Sequence, residues 1–461
     1  MPQERKKGMQ RLQLMSRNDI FFHGSGLNNT VIKTLYAFGL LFYKAFMLGT
    51  AVALAKGIDS YPLEPTMLTS AQRDIIKATV PLLETGGEAL ITYFYQLMLD
   101  THPEVRPLFN EAHQANGTQP RALANGVLMY ARNIDRLENL GGLASQIINK
   151  HVALQILPEH YPIVGSCLLQ AIREVLGAEI ATDEVIAAWA AAYQQLADIL
   201  IAGEQSAYDA IAAAPGGWRG ARPFTVLRKV AESAEITSFY LAPTDHQPVI
   251  RHKAGQYIGV RLMIDGKEVR RNYSLSEQAN GVRYRISVKR ELGGLASTYL
   301  HDYVEEGSTL DVFPPSGDFT LNDHIKPLIL ISGGVGITPT LAMAEQALES
   351  EERPVTFIHY ARNGQVHAFS DLLRDWQQRY PLFRAHVVYA ERADHEVYTP
   401  DAIGFPLITH LEQWLPADRD VDVYFLGPKP FMAFMKRALK DLGVPEKQAR
   451  YEFFGPAEAL A

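Results

Sequence analysis

The sequence predicts a multidomain protein in which an all-α domain, an antiparallel β-barrel and a doubly wound α/β domain follow one another. The first part of the chain has apolar residues at helical spacing, the middle part has the two-residue period of half-buried strands, and the last part alternates apolar strands with helices. A chain of 461 residues has room for about three domains. The expected divisions are an N-terminal extension (1–66), a helical domain (67–206), a linker (207–220), a barrel (221–325) and an α/β domain (326–461).

The composition is that of an ordinary globular protein, with 47% hydrophobic and 21% charged residues. The formal net charge of −7 offers no basic surface for nucleic acid, so we exclude nucleic acid as a partner. Cys167 is the only cysteine. Disulfides within the chain and cysteine-based zinc or iron–sulfur sites are therefore excluded, and a reducing compartment is expected.

The helical domain is predicted from apolar stripes between turn residues. We expect Gly86 and Gly87 to end its first helix and Pro103 to stop the second. Pro120 falls in the first turn of a further helix, where proline is tolerated. The segment Thr182–Tyr208 predicts a long amphipathic helix.

The barrel and the α/β domain are predicted from two kinds of strand. Residues 221–325 contain "FTVLRKVAES", "ITSFYLAP", "QYIGVRLMI" and "YRISVKRE", each bounded by turn residues, and Asp265-Gly266 is a hairpin signal. Residues 326–461 contain the apolar runs "PLILIS", "PVTFIHYA", "FRAHVVYA" and "VDVYFLG", separated by helical segments. This second pattern is typical of a parallel sheet that is covered on both faces.

A glycine-rich loop, Gly333–Pro339, lies between the first buried strand of the α/β domain and a helix. Glycines allow the backbone to approach a pyrophosphate, whose charge a helix N-terminus favours. Thr338-Pro339 stands where the G-x-G-x-x-G motif has its third glycine. Binding of a dinucleotide is the favoured interpretation, and a plain tight turn is the alternative.

The barrel carries a second set of polar and aromatic residues on neighbouring predicted strands. Arg271 could neutralise a phosphate, Tyr273 offers a flat face to an isoalloxazine ring, and Ser274 offers a hydroxyl to its edge. Gly293-Gly294 could again approach a phosphate. Taken singly, each would be a surface arginine, a barrel aromatic, a strand serine or a turn.

Together these motifs resemble the ferredoxin-reductase superfamily, and the resemblance covers Trp218–Pro456. Leu426 and Phe453 stand where that family often has cysteine, which leaves the rate of hydride transfer open. The residues implied to contact FAD are Tyr257, Arg271, Asn272, Tyr273, Ser274, Gly293, Gly294, Phe453, Phe454, Gly455 and Pro456. The residues implied to contact NAD(P)H are Gly334, Val335, Gly336, Ile337, Thr338, Pro339, Gly427 and Pro428.

His151 occupies an apolar face of a predicted helix, "IINKHVALQ". It is either a core histidine bonded to a backbone carbonyl or a metal ligand. A helical domain of this length ahead of such a reductase resembles the flavohaemoglobins, over Met67–Pro456. The resemblance implies haem b bound through the proximal ligand His151, with Phe109 and Leu123 against the ring, Tyr95 and Gln119 on the distal side, and Tyr161 and Glu204 orienting His151.

The resemblance also implies an activity. Flavohaemoglobins are NAD(P)H-dependent nitric oxide dioxygenases that convert NO and O₂ to nitrate, with electrons passing from NAD(P)H through FAD to haem. A globin that only senses O₂ or NO, and an NADH-dependent flavin reductase without haem chemistry, are the alternatives. We expect a monomer that uses NADH, with NADPH possible, because Arg362 follows a central strand where a 2′-phosphate could be bound.

The N-terminal extension contains an apolar stretch, Val31–Lys56, that is similar to a membrane span. Lys33 and Lys44 interrupt it, and the uncharged part after Lys44 is too short to cross about 30 Å of hydrocarbon. The basic residues before it would keep the N-terminus in the cytoplasm and send the cofactor-binding domains outside. We therefore interpret residues 1–66 as a non-native leader and expect a cytoplasmic protein; a membrane anchor at residues 31–56 is the alternative.

Overall fold

The computed structural model describes residues 68–109, 118–349, 352–392 and 398–454. The predicted leader, Gly455 and Pro456 lie outside the described residues. The helical domain contains, in its described part, the α-helices α1 (Ser70–Thr101), α2 (Thr118–Arg132), α3 (Gly141–Leu154), α4 (His160–Leu176) and α5 (Asp183–Ala213).

Helix α1 begins where a capping box closes its first turn and does not end where the sequence suggested. The Thr69 hydroxyl accepts a hydrogen bond from the Gln72 N–H, and the Gln72 side chain accepts one from the Thr69 N–H. The helix continues through Gly86 and Gly87, so the prediction that they end it is wrong. Glycine costs about 1 kcal/mol in a helix, and the apolar face that continues beyond the pair, including the buried Phe94, outweighs that cost.

Helix α5 begins after its N-cap Thr182 and runs to Ala213, beyond the predicted domain boundary at residue 206. The Tyr208 hydroxyl donates a hydrogen bond to the Ile156 carbonyl at 2.8 Å, which ties the extra turns to the helical domain. Residues 207–213 of the predicted linker therefore belong to this helix. Helix α5 is long and apolar enough to cross a membrane, and its buried residues pack against the other helices of the domain.

The barrel is antiparallel, as predicted, and its described strands follow the order β4-β3-β6-β1-β2-β5. Asp265 and Gly266 have φ values of 51° and 74°, which a type I′ hairpin turn requires. A bridge between Leu275 and Ile286 joins the end of β4 to β5. The elements are β1 (Arg222–Ala231), β2 (Ile236–Pro243), β3 (Tyr257–Ile264), β4 (Lys267–Ser274), β5 (Tyr284–Lys289), α6 (Leu295–Tyr303) and β6 (Thr309–Val312).

The α/β domain contains a parallel sheet whose described strands follow the order β10-β9-β8-β7-β11-β12. The four predicted strands are confirmed, whereas the edge strands β10 and β12 are too short to leave a sequence pattern. Alternate residues of β7 pack against opposite faces, Leu330 in one core and Ile331 in the other, as a doubly wound sheet requires. The elements are β7 (Leu328–Gly333), α7 (Ile337–Leu348), β8 (Val355–Ala361), α8 (Ser370–Arg379), β9 (Phe383–Tyr389), β10 (Ala402–Ile403), α9 (Ile408–Trp414), β11 (Asp422–Leu426), α10 (Lys429–Asp441) and β12 (Ala449–Tyr451).

Candidate functional site

His151 lies in the last turn of α3, and its Nδ1 atom faces two side chains from other helices. Nδ1 is 2.6 Å from Oε1 of Glu204 on α5 and 3.2 Å from the hydroxyl of Tyr161 on α4. The Tyr161 hydroxyl donates a hydrogen bond of 2.6 Å to the same Glu204 oxygen. Because a carboxylate only accepts, Nδ1 carries the proton and the lone pair of His151 is on Nε2.

This geometry does not match the core-histidine alternative. His151 bonds a carboxylate through Nδ1 rather than a backbone carbonyl, and its side chain is 30% exposed while Glu204 is 2% exposed. Among the residues that the structure describes, none hydrogen-bonds Nε2. A buried carboxylate that fixes one imidazole nitrogen and leaves the other available is the usual arrangement behind a metal-binding histidine.

The predicted distal residues lie together on α1 and α2. Tyr95 is buried, and its hydroxyl hydrogen-bonds the Gln119 side chain. Burial raises the pKa of Tyr95 well above its ordinary value of 10, an effect that the bond to Gln119 partly offsets, so the phenol stays protonated. The ring of Phe109 meets the Tyr95 ring edge to face, with centroids 5.6 Å apart.

The donor set of this region fits haem. The available imidazole nitrogen of His151 is the ligand that haem iron takes from a globin-like domain. Phe109 and Leu123 are half-buried apolar side chains that pack against the helical core. His151, Phe109 and Leu123 are the residues that would hold the haem, and Tyr95 with Gln119 would provide its polar side.

The predicted flavin residues occupy the paired strands β3 and β4. Tyr257 stands opposite Ser274, and Tyr273 stands opposite Ile258 in the antiparallel register. Burial raises the pKa of both tyrosines above their ordinary value, so they act as neutral aromatic surfaces. Arg271 donates a hydrogen bond of 2.7 Å to its neighbouring carbonyl at Arg270.

The other predicted flavin residues are divided between the start of α6 and the end of the chain. Gly293 has a φ of 72°, and the first turn of α6 after Gly294 has no side-chain cap among the described residues. Uncapped helix amides behind a glycine turn suit a phosphate. Phe453 packs edge to face on the Tyr451 ring at 5.9 Å, and Phe454 is 52% exposed. Exposed Asn272 lies on β4 beside Arg271.

The predicted nicotinamide loop packs backbone to backbone against the loop after β11. A Cβ on Gly336 would stand 2.6 Å from the Leu426 oxygen, and one on Gly427 would stand 2.5 Å from the Phe431 ring. Gly334 has a φ of 56°, and no described atom lies within 4 Å of where its Cβ would stand. This close contact brings the predicted dinucleotide loop and Gly427-Pro428 to one edge of the sheet.

Three members of the predicted nicotinamide set turn their side chains inward. Ile337 is 0% exposed within the hydrophobic core, and Thr338 and Pro339 are also buried. The Thr338 hydroxyl donates to the Val335 carbonyl at 3.1 Å. These three residues shape the turn, and their side chains are not available to a dinucleotide.

Arg362, which the sequence suggested for a 2′-phosphate, forms an ion pair with Glu235 of the barrel. Arg362 is 66% exposed and Glu235 is 18% exposed. The guanidinium of Arg362 is thus engaged by a carboxylate from the neighbouring domain.

Three charged residues, one from each domain, lie close together without having been predicted from the sequence. Lys150 on α3, Asp318 of the barrel and Glu452 near the C-terminus influence one another electrostatically. Burial raises the pKa of Glu452 to about 7 and lowers that of Lys150, while each partly offsets the shift of the other. Lys150 precedes His151 and Glu452 precedes Phe453, and this adjacency is the signal that could have pointed to them.

The Glu452 carboxyl will make the protein less stable as the pH rises. Its pKa is 4.5 in an exposed glutamate and about 7 in the fold, so between these values the unfolded chain loses a proton that the folded chain keeps. This contribution is full below pH 4.5 and is lost as the pH passes 7. We expect the unfolding temperature, measured by calorimetry, to fall as the pH rises from 4.5 to about 7. This fall should be smaller in the E452Q holoprotein than in the unmodified protein.

The matched control for this experiment is E305Q, because Glu305 is 70% exposed. E305Q should show the pH dependence of the unmodified protein. Equal pH dependence of the unfolding midpoint in E452Q and in the unmodified protein would contradict the raised pKa of Glu452.

Three family models match the chain in the order of its domains. The globin model matches residues 92–200, the oxidoreductase FAD-binding domain matches residues 223–321, and the oxidoreductase NAD-binding domain matches residues 330–437. The match regions coincide with the helical domain, the barrel and the parallel sheet.

Similar proteins match most of the chain. The flavohemoprotein of Pseudomonas aeruginosa is 64% identical over 394 residues, which are 86% of this chain and 100% of the relative. The flavohemoprotein of Deinococcus radiodurans is 47% identical over 400 residues, 86% of this chain and 99% of the relative. The crystal structure of flavohemoglobin from Malassezia yamatoensis, with bound FAD and heme, superposes with a TM-score of 0.73 at 27% identity and covers 84% of this chain and 100% of that one.

Proposed function

Because the chain belongs to the flavohemoprotein family, we propose that it is an NAD(P)H-dependent nitric oxide dioxygenase that converts NO and O₂ to nitrate and so detoxifies NO. The observation that carries the proposal is the bond of His151 to the buried Glu204 in a chain that also contains the flavin and nicotinamide domains. When bound, NAD(P)H and FAD supply electrons to the haem iron, at which O₂ and NO react.

The residues behind His151 make it a stronger electron donor. Glu204 accepts hydrogen bonds from both His151 and Tyr161, so its negative charge is held against the imidazole proton. A carboxylate in this position makes the imidazole a stronger electron donor through Nε2. This arrangement suits oxygen chemistry better than simple storage of a gas.

The distal residues act as hydrogen-bond donors. The protonated Tyr95 hydroxyl is held by Gln119 and shielded by Phe109. A donor fixed beforehand in a dry pocket stabilises negative charge that develops on a reacting oxygen atom. Tyr95 would therefore orient the small ligand and favour its reaction.

Steady-state measurements with purified protein test the proposal. With NADH and O₂ present, we expect NO to be consumed and nitrate to form, and a Soret band between about 400 and 415 nm to reveal haem. Tight NO retention with slow turnover would favour the sensor globin. A yellow protein without a Soret band, even after haem is supplied, would leave only the flavin reductase.

Replacing Glu204 by glutamine will slow turnover while the haem stays bound. The amide keeps an oxygen near His151 but removes the negative charge, and changes in the partner of a ligand histidine typically cost 10–100-fold. We expect about a tenfold lower rate of NO consumption and an iron–histidine stretching band at lower frequency in resonance Raman spectra of the ferrous protein. E159Q is the control, since Glu159 is an exposed residue near the same helices; unchanged turnover and an unchanged band in E204Q would contradict this role.

We also propose NADH as the preferred reductant. Glu235 neutralises Arg362, the residue best placed by sequence for a 2′-phosphate, and this pairing supports a preference for the dinucleotide that lacks this phosphate. The ratio of kcat/KM for NADH and NADPH tests the preference. A ratio in favour of NADPH would overturn it.

The proposed location is the cytoplasm, and the proposed state is a monomer. The supply of NAD(P)H supports this location, since the nicotinamide domain must meet its cofactor. Cell fractionation tests the location, and light scattering of the purified protein tests the oligomeric state. Recovery of the chain with membranes, together with peptides from residues 31–56, would favour the anchor instead.

A further inference from the structure

The last turn of α3 needs partners for the backbone carbonyls that face no helical N–H group. The His151 carbonyl accepts from the Ile156 N–H, and the Val152 carbonyl accepts from the Gln155 side chain at 2.7 Å. The Leu154 carbonyl accepts a hydrogen bond of 2.8 Å from Nη1 of Arg270. Arg270 belongs to β4, so the barrel supplies part of the cap of the helix that carries His151.

The Arg270 side chain is fixed before it meets the helix. Its Nε donates to Glu268 at 2.5 Å, and its guanidinium carbon lies 5.1 Å from the centre of the Phe313 ring. The side chain is 17% exposed. Two partners within the barrel therefore hold the guanidinium at the end of α3, and little freedom is lost when it binds the Leu154 carbonyl.

The helix end also lies directly on the barrel backbone. A Cβ on Gly259 of β3 would stand 3.1 Å from the Ala153 oxygen and 2.9 Å from the Phe313 ring. Gly259 is thus required for the close approach of β3 to α3. The contact between α3 and the barrel therefore combines three features: the hydrogen bond from Arg270, the Phe313 ring beside its guanidinium, and the absence of a side chain at Gly259.

The positive charge of Arg270 is favourable at the C-terminus of α3. Cations near the C-terminus of a helix are stabilised by its exposed carbonyls and its dipole. Arg270 also acts electrostatically on Tyr208 and His160, and Glu204 acts on the same two residues. The guanidinium is therefore close to the group of residues that surrounds His151.

We propose that Arg270 is a positioning residue of the haem site, which holds the last turn of α3 so that His151 keeps its alignment with Glu204. The inference rests on the proposed haem ligation but not on NO chemistry. Strand β4 would then contact both cofactor sites, because Arg271, Tyr273 and Ser274 on this strand are the residues expected at the flavin. One strand then sets the positions of both redox groups.

The test compares three variants as purified holoproteins. R270M removes the charge and the donor, R270K keeps the charge and one donor, and R261M is the matched control. Arg261 also lies in the barrel sheet and pairs with a carboxylate, Asp311, at 2.8 Å. The readouts are haem transfer to apomyoglobin, the iron–histidine stretching band of the ferrous protein, and FAD content with NADH-driven reduction of ferricyanide.

We expect R270M to lose haem about tenfold faster than the unmodified protein, since a hydrogen bond from a charged donor is lost. Its iron–histidine band should broaden and shift, R270K should recover part of both effects, and FAD content and ferricyanide reduction should not change. R261M should behave as the unmodified protein. Unchanged haem loss and an unchanged band in R270M would overturn the inference, whereas absence of haem from every variant and from the unmodified protein would overturn the proposed function instead.

Discussion

Replacing His151 with alanine will yield a protein that contains FAD but no haem. The imidazole Nε2 is the expected iron ligand. Alanine has no nitrogen for the iron, so the buried Glu204 and Tyr161 lose the imidazole that they orient. The cores of the barrel and of the α/β domain contain no described residue of the helical domain, so the flavin and NADH oxidation should persist. Absorption spectra will measure the haem and FAD content, and NADH-driven reduction of ferricyanide will measure the remaining flavin activity.

His102 provides a matched control for this variant. It is a second histidine of the helical domain, and its Nδ1 lies 2.9 Å from a glutamate, Glu104. Unlike His151, it stands at the end of α1, far in sequence from α3. H102A should keep haem at the level of the unmodified protein. If H151A also keeps it, with an unchanged Soret band, the ligand assignment is wrong.

Replacing Gly336 with alanine will slow electron entry from NADH while haem and FAD remain bound. The new Cβ would stand 2.6 Å from the Leu426 oxygen and 3.1 Å from the Gly427 nitrogen, so the two loops must move apart. Overpacking of this kind costs about 1–3 kcal/mol, and a displacement near 1 Å at a reacting centre can lower the rate by about 100-fold. Stopped-flow reduction of the flavin by NADH should slow by roughly that factor.

A chemical reductant separates this effect from damage to the rest of the protein. Dithionite should reduce the flavin and haem of G336A as it does in the unmodified protein, because only the nicotinamide loop is changed. G142A is the control: Gly142 lies in α3, and no described atom is within 4 Å of its Cβ position. Flavin reduction by NADH at the normal rate in G336A would contradict the assignment of this loop.

The domain order and most of the strands could be predicted because each depends on a local pattern. The apolar run Leu328–Gly333 and the hairpin at Asp265-Gly266 are specified within a few residues of chain. The site residues His151, Tyr161 and Glu204 were named through a family resemblance, since no periodicity in the sequence relates positions on three helices. The structure brings the three together.

The errors of the sequence analysis arose where packing outweighs local preference. Gly86 and Gly87 were expected to end a helix, and the apolar face on either side of them carries α1 through both. The last helix was predicted over Thr182–Tyr208, whereas it runs to Ala213, and the bond from Tyr208 to Ile156 keeps its final turns in the helical domain.

The order of the three domains and the glycine loops follow from the sequence alone, because each is encoded in neighbouring residues, whereas His151 is proposed as the iron ligand through the family resemblance. Only the tertiary structure decided that Glu204 shares its oxygen between His151 and Tyr161, that Glu452 and Lys150 are close enough to shift each other's pKa, and that Arg270 caps α3. These contacts join positions far apart along the chain. Their strength depends on burial and distance, which no short stretch of sequence contains.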